Sequence, residues 1–511
     1  MSPESGAVAP DQTHDSRLAT HDYPTRRIYA VSGVPPEVQA YALAKYSRSA
    51  QGMLESIQEL SQQRAAEFLN TFYFQYGHRS IADLAHLVFG LEQISILAAI
   101  AVVDEPVWDG QERSTRYQPF RKTGWHLPGE VAGTPTEAVF EDAAEALFGA
   151  YQELSARLAE ELVQTVPRPE SMSDPAYRRT LRARAFDVAR GLLPLATHTS
   201  VGQVVSARVL ERQIARLLGS PYAEVRAVGR ELKLACQRPP ESPLGGADEA
   251  SPAAPTLVKY ADASAYPSAA AREVAEAAAE ALPSAGPPDR SRHVDLVEPA
   301  ADPLDEIVAT LLFRHDRAGH SYRQCLAAVS DLSRARKEEV FTASLAARGP
   351  HDDLLREHQA GYALVFDVLV DLGSFRDLHR HRRCIQVHQP LTWDHGFLPP
   401  EEVVPALGSE LAQLYRLALE RVATAAGQVR SDVGSEAADY LLPMAYRTRC
   451  LFKMDWAQAA YMIEQRTAPA GHFSYRRVAW RMYQALRARH PALAAPIRAT
   501  DPDASLDLLH R

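Results

Sequence analysis

Apolar positions recur at helical spacing through Pro36–Tyr46 and again through Met53–Tyr76, which predicts two early amphipathic helices. Gly77 is placed to cap the second of these. The short apolar run Leu84–Leu91 predicts a buried strand, and Ile94–Val103 a buried apolar helix. Trp108–Phe120 is polar and reads as a loop. Long-period patterning then predicts an amphipathic helix over Pro135–Leu162, with further helices around Leu181–Leu195 and Ser206–Leu218.

From about Arg238 to Asp289 the pattern breaks into Pro, Ala, Ser and Gly, as in RPPESPLGGADEASPAAP, which marks a boundary. Inside it Ala270–Leu282 is rich enough in alanine to form a helix. Patterning resumes at His293. Tyr362–Leu372 is strand-like, Ser374–Arg382 a short helix, Gln386–Pro400 a loop, and Glu410–Gly427 and Asp455–Gln465 are helices. Two short matches recur in the same order. Leu87-Val88-Phe89 resembles Leu364-Val365-Phe366, and Leu192-Leu193-Pro194-Leu195-Ala196 resembles Leu441-Leu442-Pro443-Met444-Ala445. The expected organisation is a leader over 1–24, one module over 25–237, a linker with a helix over 238–292, a second module over 293–500 and a tail over 501–511.

At 511 residues the chain exceeds what one hydrophobic core organises. A net charge of -9 argues against nucleic acid as a partner, because phosphates call for a basic surface. The four cysteines, Cys236, Cys325, Cys384 and Cys450, form no CxxC pair, so neither a disulfide framework nor a zinc site is expected. The N-terminal residues have no apolar secretory core, and no run reaches the ~18 apolar residues of a membrane span. The expectation is a cytoplasmic protein with no membrane partner.

Two clusters carry candidate chemistry. Glu112-Arg113-Ser114-Thr115-Arg116-Tyr117 offers guanidinium and hydroxyl donors suited to a phosphate; it is equally readable as a solvated turn. His379-Arg380-His381-Arg382-Arg383 packs three arginines at a helix end, which cannot all be buried without anions. It suits a polyanionic cofactor, or else a charged helix end facing water. Cys384 and His388 lie near His381, but the arginines would repel a cation, and no metal is expected.

Taken together, Gly77, His78 and Ser80, followed by Glu112, Ser114, Arg116 and Tyr117, resemble the opening segment and the Ser-x-Arg-Tyr loop of the flavin-dependent thymidylate synthases. The family's intervening Arg-His-Arg triplet is missing near Val103–Pro106. The second half carries that triplet as Arg380-His381-Arg382 and lacks the loop. Arg466 falls where the family places an arginine on the nucleotide, and Arg190 matches another near the phosphate; their counterparts are Leu217 and Asp439. Thr115, Asp377, Pro390 and Thr392 depart from the family's pattern.

The resemblance implies an α+β fold of two similar modules, each a mainly antiparallel sheet packed with helices, and a homodimer. It implies FAD as cofactor, methylenetetrahydrofolate and NADPH as cosubstrates, and reductive C5 methylation of deoxyuridylate (dUMP). Glu112, Ser114, Arg116, Tyr117 and Arg190 would hold the nucleotide. His78, Arg380, His381 and Arg382 would hold the flavin. Arg466 would act in catalysis by placing positive charge beside the uracil carbonyls. Such half-sites complement one another only if they meet across the two modules. The alternatives are C5 alkylation of another uracil nucleotide, and a regulator that binds flavin or nucleotide without catalysis.

Overall fold

The protein is described by a computed structural model covering residues 33–45, 57, 79–120, 124–241, 252–298, 302–347, 355–358, 364–403, 408–495, 497–504 and 508–509. The fold is α+β, with one antiparallel sheet in each half. The first has the order β1-β3-β2, from β1 (His86–Ser95), β2 (Asp109–Glu112) and β3 (His198–Ser206). The second has the order β4-β5-β7-β6, from β4 (Val294–Val297), β5 (Leu364–Asp371), β6 (Ile385–His388) and β7 (Arg447–Met454).

The halves share an element order because the same local signals recur. β1 ends in Ser95, whose hydroxyl accepts from Ala98 N at 2.9 Å and starts the apolar helix Ile96–Val103. β5 ends in Asp371, whose carboxylate accepts from Ser374 N at 2.8 Å and starts Leu372–Leu378. Ser206 and Asp455 cap the helices Ala207–Leu218 and Trp456–Thr467 in the same way, directly after β3 and β7.

The join between halves is close to symmetric. Leu195 N donates to Leu442 O at 2.9 Å and Met444 N to Leu193 O at 3.0 Å, flanking an antiparallel contact between Pro194 and Pro443. Neither proline needs to donate there, so the missing N–H costs nothing. The long helices Glu137–Thr165 and Ser409–Asp432 bury Leu154, Leu158, Tyr415 and Leu419 in one apolar core shared by both halves. A second core lies under β5 and β7, with Phe366, Phe452, Met462 and Met482. A third covers the opposite face of that sheet, where Val274, Leu312 and Tyr322 come from three different helices.

The sequence reading missed β3 and β7, whose runs HTSVGQVVS and RTRCLFKM mix polar and apolar residues without clean alternation. The stretch read as the loop Trp108–Phe120 begins as strand β2, paired with β3, and the loop expected at Gln386–Pro400 begins inside β6. The helix expected over Ser374–Arg382 stops at Leu378, leaving the triplet in the turn before β6. Leu181–Leu195 is helical only to Ala189, then a tight turn at Arg190–Leu192. The expected helix Met53–Tyr76, apart from residue 57, and Gly77 and His78 lie outside the described residues. No helix among the described residues is long and apolar enough to cross a membrane.

Candidate functional site at the junction of the halves

The helix Leu372–Leu378 delivers the triplet to the junction. Arg380 is exposed, His381 buried and Arg382 half-buried. Arg466, in the last turn of Trp456–Thr467, donates from Nε to His381 Nε2 at 2.7 Å. His381 is therefore an acceptor at Nε2, which places the ring proton on Nδ1. Burial, then the Arg466 and Arg382 charges, pull its pKa down to about 3, so the ring is neutral across the physiological range.

The first half supplies the facing wall. The Arg382 guanidinium lies over the Trp108 ring, 4.4 Å from its centroid, and Trp108 is fixed by a 2.7 Å bond from Nε1 to Gln203 Oε1. Between them is a cleft of about 190 Å³ lined by Trp108, Glu112, Phe375, Arg376, Arg380 and Arg382. Glu112 and Arg376 form an ion pair between the halves. Gly110 lets β2 sit close, since a Cβ there would lie 2.3 Å from Gly202 O and 2.4 Å from the Trp108 ring. Arg376 Nε and Arg382 Nε are buried without a hydrogen-bond partner. Unpartnered donors and a cationic wall suit a planar, anionic group such as the flavin nucleotide, so the residues present fit it.

The loop after β2 reaches the second half through Arg116. Its Nε donates to Asp187 Oδ1 at 2.8 Å, Nη1 to the Tyr475 hydroxyl at 3.0 Å and Nη2 to Ala470 O at 3.2 Å. Arg116 and Arg466 both lie against the Tyr475 ring, at 5.6 and 5.4 Å from its centroid. Arg190 donates from Nη1 to Asp377 Oδ2 at 3.0 Å, while its Nη2 is buried without a partner. Burial alone would raise the Asp377 carboxyl; the charges of Arg190 and Arg116 bring it below its ordinary value. Ser114 Oγ accepts from Arg116 N at 3.2 Å and shapes the loop, and Tyr117 is exposed.

Arg116, Arg190, His381 and Arg466 thus gather around Tyr475 and Asp377, Ser114 stays within its own loop, and Glu112, Arg380 and Arg382 line the adjoining cleft. The sequence reading passed over Tyr475 and Trp108. Their signal was slight: an aromatic beside arginines in FSYRR, and a tryptophan just ahead of the loop motif. Asp187 pairs with Arg116 and Arg184, leaving Arg190 to Asp377.

The equivalent positions on the other side are acidic. Asp104 and Glu105 stand where Arg380 and His381 stand, at the same distance beyond the capping residue. Asp104 pairs with Arg356 at 2.8 Å, and Glu105 with Arg212 and Arg216 at 3.1 and 2.9 Å. Asp439, opposite Arg190, accepts from the Tyr222 hydroxyl at 2.8 Å. Among the described residues no group of three His, Cys, Asp or Glu side chains is placed to hold a metal ion.

The chain is similar to several known proteins. A UPF0159 protein of Chlamydia muridarum is 27% identical, covering 93% of this chain and 92% of its own. A flavin-dependent thymidylate synthase of a Mycobacterium species (strain JLS) is 30% identical, covering 39% of this chain and 71% of its own. The crystal structure of a flavin-dependent thymidylate synthase from Helicobacter pylori, complexed with FAD and dUMP, covers 40% of this chain and 89% of its own at 12% identity; its TM-score of 0.24 carries no argument. The family described as thymidylate synthase complementing protein matches residues 31–238 and 315–492, and the chain belongs to it.

Proposed function

We propose that the chain is a flavin-dependent thymidylate synthase-like enzyme that methylates deoxyuridylate at C5, using one composite site built from both halves. The observation that carries the reading is the meeting of Arg116 and Arg466 on one tyrosine ring, which joins the loop of the first half to the triplet of the second. Relatives named as flavin-dependent thymidylate synthases support the same assignment.

In this reading Trp108, Arg380 and Arg382 would hold the flavin, and the unpartnered Nε atoms of Arg376 and Arg382 would be available to donate to it. Arg190 offers its unpartnered Nη2 to a phosphate oxygen. Arg116 spends its donors on Asp187, Tyr475 and Ala470, so it fixes the junction. Arg466, held by neutral His381, places positive charge where the uracil carbonyls gain electron density. Bound FAD, reduced by NADPH, supplies the hydride, and methylenetetrahydrofolate supplies the carbon. Asp104, Glu105 and Asp439 put carboxylates at the positions equivalent to Arg380, His381 and Arg190, and the arginines beside Asp104 and Glu105 are already paired with them. The two similar halves are best explained by duplication and complementary loss, and a homodimer would rebuild a four-module assembly.

A second reading, C5 alkylation of a less charged uracil acceptor, is favoured by one observation. Asp187 and Asp377 already neutralise Arg116 and Arg190. The test is the visible absorption spectrum of the flavin-loaded protein titrated with deoxyuridylate, followed by turnover with the folate donor. A saturable shift with thymidylate formation supports the first reading. Bound flavin with no shift supports the second. Failure to bind flavin overturns both and leaves a nucleotide-binding regulator.

A further inference from the structure

The helix Phe473–Arg489 faces two places. Tyr475 points into the composite site, while Arg477, Trp480 and Arg481 line a separate cavity of about 330 Å³ with Glu402 and Asp503 on its walls. That volume is within the range of small-ligand pockets.

The cations of this cavity are poorly matched. Arg477 reaches Asp503 only at 3.4 Å, and its Nη1 is buried with no partner. Arg481 donates from Nη1 to His293 Nδ1 at 2.7 Å, so its partner is an imidazole and not a carboxylate. Burial, then the charges of Arg447 and Arg481, push His293 down to about 4, so it brings no charge of its own. Arg447, beside them, comes no closer than 3.9 Å to Glu402, too far for a hydrogen bond. Of the two guanidiniums that line the cavity, Arg481 has no carboxylate hydrogen-bond partner among the described residues and Arg477 keeps one buried N–H without a partner. Arg477 and Arg481, one helical turn apart, repel each other unless an anion lies between them. Trp480 adds a half-buried aromatic wall, stacked on Tyr483 at 5.1 Å.

We propose that this cavity is a second ligand site, distinct from the composite site, that takes a small molecule joining one anionic group to a flat ring. The carboxylate or phosphate meets Arg477 and Arg481, and the ring lies along Trp480. The match rests on charge and shape: guanidinium donors recognise planar oxyanions, and an indole face recognises a ring.

The experiment uses the flavin-loaded full chain and three probes: inorganic phosphate, benzoate and phenyl phosphate. Binding is read from the Trp480 indole resonance, assigned with Trp480→Phe, and from calorimetry. A saturable Trp480 shift with phenyl phosphate or benzoate is expected, tighter than with inorganic phosphate, and the stronger of the two aryl probes identifies the anionic group. Arg477→Gln combined with Arg481→Gln should weaken that binding about tenfold or more, the scale of a lost charge-assisted bond. Trp480→Leu should abolish the advantage of a ring in calorimetry while leaving inorganic phosphate unaffected. An unchanged flavin spectrum and melting temperature show that these variants fold. No Trp480 response to any probe overturns the proposal. So does an equal response to chloride at matched ionic strength, or unweakened binding in the double variant.

Discussion

The Arg116 guanidinium of the first half donates to the Tyr475 hydroxyl of the second at 3.0 Å, and the Tyr475 ring in turn lies 5.4 Å from the Arg466 guanidinium. This contact ties the loop after β2 to the second half, and under the proposed function it would complete one site from two partial ones. Tyr475→Phe removes the acceptor and keeps the ring. We expect about 1 kcal/mol of lost stability, the net value of one such bond, with a larger fall in turnover than in flavin affinity. Arg116→Ala should cost more, about 3–5 kcal/mol, because it breaks the buried pair with Asp187. Chemical denaturation with flavin titration checks both; equal losses from the two substitutions would contradict this assignment.

Gly110 sets how closely β2 approaches β3 and the Trp108 ring. Gly110→Ala forces a Cβ to 2.3 Å from a backbone oxygen, so the strand or the tryptophan must move. Flavin affinity should fall by about tenfold or more if Trp108 shifts from Arg382. Gly90→Ala is the matched control, since nothing lies within 4 Å of a Cβ there. It should leave flavin binding unchanged in the same titration.

Much of this was legible in the sequence because it rests on local signals. Ile96–Val103 is apolar throughout, so the helix is legible from its run, although the reading starts it at Ile94 and misses the Ser95 cap that ends β1. The triplet and the Ser-x-Arg-Tyr loop were visible as motifs, and their complementary losses suggested that the halves cooperate. What the sequence did not carry was pairing. β7 has the buried Arg449 and Lys453, whose charges hide its strand character until Asp367 and Glu306 are seen beside them. Asp377 read only as a departure from the family's pattern; its pairing with Arg190 across the junction depends on residues far apart in sequence.

The buried histidines should make the fold sensitive to acid. His381 and His472 are held down to about 3, and His379 to about 4, mainly by burial. An unfolded histidine titrates near 6.5, so below that pH the unfolded chain takes up protons that the native chain does not. Stability contributed by the neutral rings is complete above about 6.5 and is lost as pH falls toward 3 to 4. Each ring can add a slope of about 1.4 kcal/mol per pH unit inside that window. Urea midpoints from pH 7.5 down to 5 should fall steadily, and His472→Gln should flatten the curve. A midpoint that stays level over this range would show that these rings take up protons in the native state as they do in the unfolded chain.

Asp439 should act in the opposite sense. Burial raises its pKa to about 7, while the Tyr222 hydroxyl bond and the Arg430 charge pull the other way. In the unfolded chain the same carboxyl titrates near 3.9. Between these values the native state holds a proton that the unfolded state has released, so this group's contribution to stability declines as pH rises from about 4 to about 7. Asp439→Asn keeps an oxygen to accept from Tyr222 and carries no charge at any pH. The variant should therefore gain stability relative to the parent as pH increases, with the difference levelling off above about 7. Paired urea titrations at pH 5.5 and 8 measure this. A difference that is the same at both would mean that Asp439 is ionised throughout, and that the junction opposite the composite site tolerates a buried negative charge.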